Sequence, residues 1–123
     1  MSAVLVVDDE VDLVTTYERV LRRQGHHVVS AGSRHAALVA LASQPLDLVV
    51  ADVRLGDGDG LDVVRAALGT RTPPPVIVVT GYTSEAGRRD ALEAGAAAYL
   101  AKPFSISQFL GTVETVLGRR RPA

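Results

Sequence analysis

Residues 48–52 read Leu-Val-Val-Ala-Asp, four apolar positions in a row and then a carboxylate. A strand with one face in water alternates apolar and polar side chains. A strand without alternation is covered on both faces, as in a parallel sheet held between two layers of helix. Val4 to Val7 (Val-Leu-Val-Val) and Val76 to Thr80 (Val-Ile-Val-Val-Thr) have the same character. His27 to Ala31 and Ala98 to Leu100 are two further short runs, which brings the strands to five.

The intervening stretches have helical period. Val11 to Gln24 carries Val11, Val14, Val20 and Leu21 on one side and stops at Gly25, a residue suited to the left-handed end of a helix. Ser33 can cap a second helix, with Ala36, Leu38, Ala40 and Leu41 apolar, that Pro45 terminates. A third spans about 60–68, a fourth about 84–94 before Gly95, and a fifth about 105–117. Thr72-Pro73-Pro74-Pro75 lacks the N–H groups that a helix or a central strand requires and reads as an extended loop. Strand and helix alternate five times, so the expected class is α/β: a doubly wound, flavodoxin-like (βα)5 sheet in the order 2-1-3-4-5. One domain over 1–118, followed by a basic tail or the start of a linker at 119–123, suits a chain of 123 residues.

Composition narrows the function. Thirteen basic against fourteen acidic residues leave a net charge of -1, without the positive field that nonspecific nucleic-acid binding draws on. Cysteine is absent, which excludes disulfide and thiolate chemistry and fits a cytoplasmic location. The opening MSAVLVVDDE lacks the form of a signal peptide, and no apolar stretch approaches the roughly 20 residues that span a bilayer. A soluble protein is expected. The only lysine is Lys102, in a chain that writes every other cation as arginine. An ammonium is therefore expected to matter there.

Asp8 and Asp9 follow the first strand, Asp52 the third, and Lys102 the fifth, while Thr80 ends the fourth. Taken singly, each has an ordinary reading: the acid pair as a solvated strand end or helix cap, Thr80 as a strand residue, Lys102 as a surface cation. Together they fall on one edge of the sheet, at the switch point where ligands bind in such folds. Carboxylates gathered there repel unless a hard cation compensates them, and Mg²⁺ suits an oxygen-only donor set without Cys or spaced His. A hydroxyl and an ammonium opposite would bind the oxygens of a phosphoryl group, with one carboxylate as nucleophile. His26, His27 and His35 lie away from this edge and read as surface or edge residues.

The acid pair of VVDDE, the Asp of VVADVRLGDGDGLDVV, the Thr-Gly of VIVVTGY, and AYLAKPF together resemble the signature of the response-regulator receiver domain of two-component signal transduction. The resemblance covers essentially the whole chain. It implies Asp52 as phosphoacceptor, Asp9 as a direct Mg²⁺ ligand with Asp8 acting largely through water, and the Arg54 carbonyl as a further ligand. It also implies Thr80 and Lys102 as phosphoryl-binding groups, a cis Lys102-Pro103 bond, and Tyr99 as the aromatic partner of Thr80 in a switch of the fourth helix, fifth strand and fifth helix. The implied partners are a sensor histidine kinase or phosphotransfer protein, an effector downstream, and a second copy in a phosphorylation-dependent homodimer. A domain of this kind is no conventional enzyme, but catalyses its own phosphorylation and slow dephosphorylation.

Two features depart from the family pattern. Leu55-Gly56 stands where many receivers have Met-Pro, and the Asp57-Gly58-Asp59-Gly60 that follows is expected to be mobile until phosphorylation. Arg54 and Tyr82 flank the path of the hydrolytic water in this family, and their bulk predicts slow loss of the phosphoryl group. Two rival readings are an unphosphorylated pseudoreceiver that works by contact alone and a Mg²⁺-dependent aspartate-nucleophile phosphohydrolase. The first should have a degraded acid pocket, and the second needs an acid where Arg54 stands.

Overall fold

The computed structural model describes residues 2–81 and 84–120, at 119 and 120 for the main chain alone. Tyr82 and the end of the tail, 121–123, lie outside the described residues. The elements in order are β1 (Ala3–Val7), α1 (Val11–Arg23), β2 (His27–Ala31), α2 (Arg34–Ser43), β3 (Leu48–Asp52), β4 (Arg54–Leu55), β5 (Gly58–Asp59), α3 (Leu61–Leu68), β6 (Val76–Thr80), α4 (Glu85–Glu93), β7 (Ala98–Ala101) and α5 (Ile106–Arg120). β2-β1-β3-β6-β7 form one sheet, parallel throughout. With the two-residue strands β4 and β5 set aside, this is the expected order 2-1-3-4-5.

Unalternating strands become intelligible in the packing. Leu5, Val7, Val49, Ala51, Val76 and Val78 point to a core shared with α2, α3 and α4. Their neighbours Val4, Val6, Leu48, Val50, Ile77 and Val79 point to the opposite core, shared with α1 and α5. Successive side chains leave opposite faces of a strand, so two cores require apolar residues at every position. Each Val, Leu or Ile among them taken from water contributes about 1.5–3 kcal/mol.

Because both faces are apolar, patterning alone does little to oppose a slip of register. Asp47 supplies a polar clip: its carboxylate accepts from the Ala3 N–H at 2.7 Å, and its own N–H donates to the Ala3 carbonyl at 2.8 Å. That fixes β3 on β1, and with it the relative heights of Asp52 and Asp8.

Helix ends follow local chemistry. The Ser33 hydroxyl accepts from Ala36 N–H, as expected for the cap of α2, and that of Ser84 accepts from Gly87 N–H at α4. Ser105 and Gln108 form a reciprocal capping box at the start of α5. At the end of α1, Gly25 (φ 89°) donates to Arg22 and His26 donates to Leu21, a Schellman closure. This closure turns the residue after the glycine back onto the helix, which is why His26 is buried and not at the surface or an edge as expected. Its Nε2 lies 3.9 Å from Glu114 of α5. α5 itself continues through Arg120, past the expected end at 117. No helix among the described residues is long and apolar enough to cross a membrane.

Candidate functional site

Asp8, Asp52, Thr80 and Lys102 all stand at the carboxyl edge of the sheet. Asp52 is the last residue of β3 and pairs with Val79, one position before Thr80, which pairs with Ala101, one position before Lys102. The Lys102 N–H donates to the Thr80 carbonyl at 2.8 Å, extending the β6–β7 ladder by a residue. The Lys102-Pro103 bond that follows is cis, as expected.

The lysine is not across the pocket from the acids but between them. Its Nζ lies 2.7 Å from Asp52 Oδ2 and 3.0 Å from Asp8 Oδ2, with Glu10 Oε1 at 4.0 Å. The remaining oxygens are also engaged: Asp8 Oδ1 accepts from Glu10 N–H at 2.9 Å, and Asp52 Oδ1 from Arg54 N–H at 3.0 Å. The side chains are 0 % (Asp8), 9 % (Asp52) and 16 % (Lys102) exposed, so this is a charge cluster largely removed from water. Two buried carboxylates without a cation would each bear a large desolvation cost, and the ammonium meets both. Burial alone would pull the Lys102 ammonium down. The hydrogen bonds it donates to Asp52 and Asp8 outweigh it and hold the group above the usual lysine range.

Asp9 stands apart. It is exposed at the rim and makes no side-chain hydrogen bond or ion pair among the described residues; its Oδ2 faces Gly56 of the β4–β5 turn. Thr80 is 1 % exposed. Tyr99 lies half-buried in β7 beside Val78, against the core under α4. The structure thus joins Asp8, Asp52 and Lys102 by direct contact and places Thr80 on the same edge. No three Asp, Glu, His or Cys side chains are gathered as a ready metal cluster among the described residues.

A residue the sequence reading passed over lies beneath the lysine. Tyr17 of α1 stacks on Phe109 at 4.9 Å and on Phe104 at 6.0 Å between ring centroids. Its hydroxyl is buried without a hydrogen-bond partner among the described residues. Burial pushes this phenol up to about 12, Lys102 pulling the other way. Only its place on the apolar side of α1, between Leu13 and Leu21, hinted at this position. Leaving a buried hydroxyl unpaired costs about 1–3 kcal/mol, so Tyr17→Phe is expected to stabilise the fold by about 1 kcal/mol in urea unfolding. Absorbance titration should also lose the phenol that ionises near pH 12. A Tyr17→Phe chain less stable than the parent would show that the hydroxyl is satisfied.

The profile of the response regulator receiver domain matches residues 4–114. The chain belongs to the response-regulator receiver family. The transcriptional regulatory protein KdpE of Mycobacterium tuberculosis is 36 % identical over 123 residues, all of this chain but 54 % of that protein. The receiver thus spans about half the length of that regulator. Among solved structures, a CheY-like receiver domain protein from Methanospirillum hungatei superposes with a TM-score of 0.93 at 27 % identity, over 98 % of this chain and 96 % of that one. A response regulator from Burkholderia pseudomallei, solved with a phosphorylated aspartic acid, a calcium ion and citrate, gives 0.87 at 28 % identity, over 98 % and 71 %.

Proposed function

We propose that Asp52 accepts a phosphoryl group from the phosphohistidine of a sensor kinase or phosphotransfer protein, and that the modified domain then regulates an effector. The observation that carries this reading is the sharing of the only lysine between Asp52 and Asp8, at 2.7 and 3.0 Å. That arrangement sets the Asp52 carboxylate, the candidate nucleophile, against a cation and keeps an ammonium within reach of the oxygens it would acquire. Thr80, at the end of the neighbouring strand, would supply the hydroxyl donor.

The donor set fits Mg²⁺. Every candidate ligand is a hard oxygen, one of them the exposed and unengaged Asp9 carboxylate, and Mg²⁺ needs only one or two carboxylates besides carbonyl and water. Asp8, Asp9, Asp52 and the Arg54 carbonyl would hold it, and when bound it would neutralise charge on the transferred group. Asp8 and Asp52 would then share their Lys102 contact with the cation. Transfer breaks the bond from the donor nitrogen to phosphorus and forms one from an Asp52 oxygen, and the proton already carried by the other ring nitrogen lets the donor histidine leave as neutral imidazole. Thr80 and Tyr99 would carry the change to the face formed by α4, β7 and α5. The exposed Arg54 would slow hydrolysis of the acyl phosphate by obstructing water.

The contact of Asp8 and Asp52 with Lys102 disfavours a pseudoreceiver, and Arg54 occupies the place where a phosphohydrolase of this chemistry needs an acid. Acetyl phosphate with Mg²⁺ is therefore expected to add a single phosphoryl group per chain by mass spectrometry, and none to the Asp52→Asn variant. Addition to that variant at the parent's rate, or release of many equivalents of phosphate per minute, would remove this reading.

A further inference from the structure

The segment expected to be loose is tied down, and the ties come from outside it. Residues 54–59 form a tight hairpin in which Arg54 pairs with Asp59 and Leu55 with Gly58. At its tip, Asp57 reaches back to the start of α2: Oδ1 accepts from Arg34 N–H at 2.7 Å and Oδ2 from His35 N–H at 3.0 Å. The Arg34 side chain crosses over Gly58, where an added Cβ would come 2.6 Å from Arg34 Cδ. It ends on Asp62 of α3 with Nε at 2.9 Å, and Arg65 holds the other oxygen of that carboxylate at 3.1 Å. The hairpin is therefore tied to α2 directly, and α3 steadies the Arg34 side chain that lies over it.

The helix gains less from this contact than the loop does. Ser33 already caps α2 through Ala36 N–H, and Asp57 adds the two first-turn amides, a favourable place for a negative charge. Three of the five residues from Gly56 to Gly60 are glycine, and unconstrained they would sample many conformations. The carboxylate of Asp57 is held ionised below the ordinary range by the His35 and Arg34 amides.

We infer that Asp57 and Arg34 are positioning residues, a latch from α2 and α3 that presets the hairpin so that the Arg54 carbonyl and the Asp52 backbone stand ready for the divalent cation. This rests on the proposed Mg²⁺ and phosphoryl site. Residues that orient a metal's ligands are commonly worth 10–100-fold in affinity. An exposed latch belongs at the lower end, about tenfold.

The test is a Mg²⁺ titration of the full chain followed by backbone amide NMR shifts, without phosphodonor, alongside amide exchange at Arg34 and His35. Asp57→Ala is expected to weaken Mg²⁺ about tenfold and to speed exchange at both amides. Asp57→Asn, which keeps one acceptor, should fall between, and Arg34→Gln should weaken Mg²⁺ while leaving the two amides protected. Asp57→Ala and Arg34→Gln chains that bind Mg²⁺ as the parent does would overturn the latch and leave the site reading standing. A parent that binds no Mg²⁺ at millimolar concentration would overturn both.

Discussion

Lys102→Met is expected to cost the fold about 2–4 kcal/mol at neutral pH and to reduce phosphorylation by acetyl phosphate to a small fraction of the parent's rate. Methionine keeps most of the length of the side chain and removes the charge. What remains is Asp8 and Asp52, 0 % and 9 % exposed, facing one another without the ammonium they share. Removing one partner of a buried pair costs more than the pair contributes, because the other charge stays desolvated. The loss falls toward the lower end for such pairs because the lysine itself is 16 % exposed. Millimolar Mg²⁺ should recover part of it, since a ligand that binds only the folded state stabilises it by mass action.

The pH dependence has a definite sign. Lys102 is raised in the folded state, so its contribution is fully present below the unfolded value of about 10.4 and is lost as pH rises through the higher folded value. Tyr17, raised to about 12 by burial, acts in the same direction, because its phenol ionises more readily in the unfolded chain than in the folded one. Parent stability should therefore fall steeply above about pH 10.4, Lys102→Met should fall less, and Tyr17→Phe should remove the tyrosine portion alone. A Lys102→Met chain as stable as the parent in urea at pH 7.5 would mean that the two acids are hydrated and not buried as a pair.

Much of this was legible in the residues. Four consecutive apolar positions before Asp52 implied a strand covered twice, and the cores on both sides of β3 are what that pattern requires. Asp8, Asp52, Thr80 and Lys102 could be placed on one edge because parallel strands all end at the same side of the sheet. Other features had no local signal. Strands of two residues, such as β4 and β5, are too short to carry a period, so a glycine-rich stretch read as loose turned out to be a hairpin. The grip of Asp57 on α2 joins residues 22 and 23 positions apart, and nothing near Asp57 names its partner. The seat of Lys102 between two acids follows from electrostatics that only a folded arrangement sets. Tyr17 was hidden by being an ordinary member of an amphipathic helix.

Gly60→Ala tests the join between fold and site most severely. Gly60 has φ -63° and ψ -19°, a conformation alanine prefers, so propensity alone predicts a gain of up to about 1 kcal/mol. Space predicts the opposite. A Cβ on Gly60 would lie 1.9 Å from the Asp52 carbonyl oxygen, 2.8 Å from its carbon and 2.9 Å from Val53 Cα. All three are main-chain atoms and cannot rotate aside. Either α3 retreats from the end of β3 or the Asp52 peptide turns, and the second moves the residue proposed to take the phosphoryl group. A loss of about 3 kcal/mol or more is expected, in the range of severe overpacking, together with a collapse of Mg²⁺-dependent phosphorylation. Gly111→Ala in α5 is the control, since an added Cβ there meets nothing within 4 Å and the helix-propensity gain of up to about 1 kcal/mol should appear in full. The two substitutions are chemically identical and should shift the urea midpoint in opposite directions. If both were stabilising and Asp52 still took up phosphoryl at the parent's rate, α3 would not be seated against the end of β3, and the close fit that holds Asp52 in place would have to be abandoned.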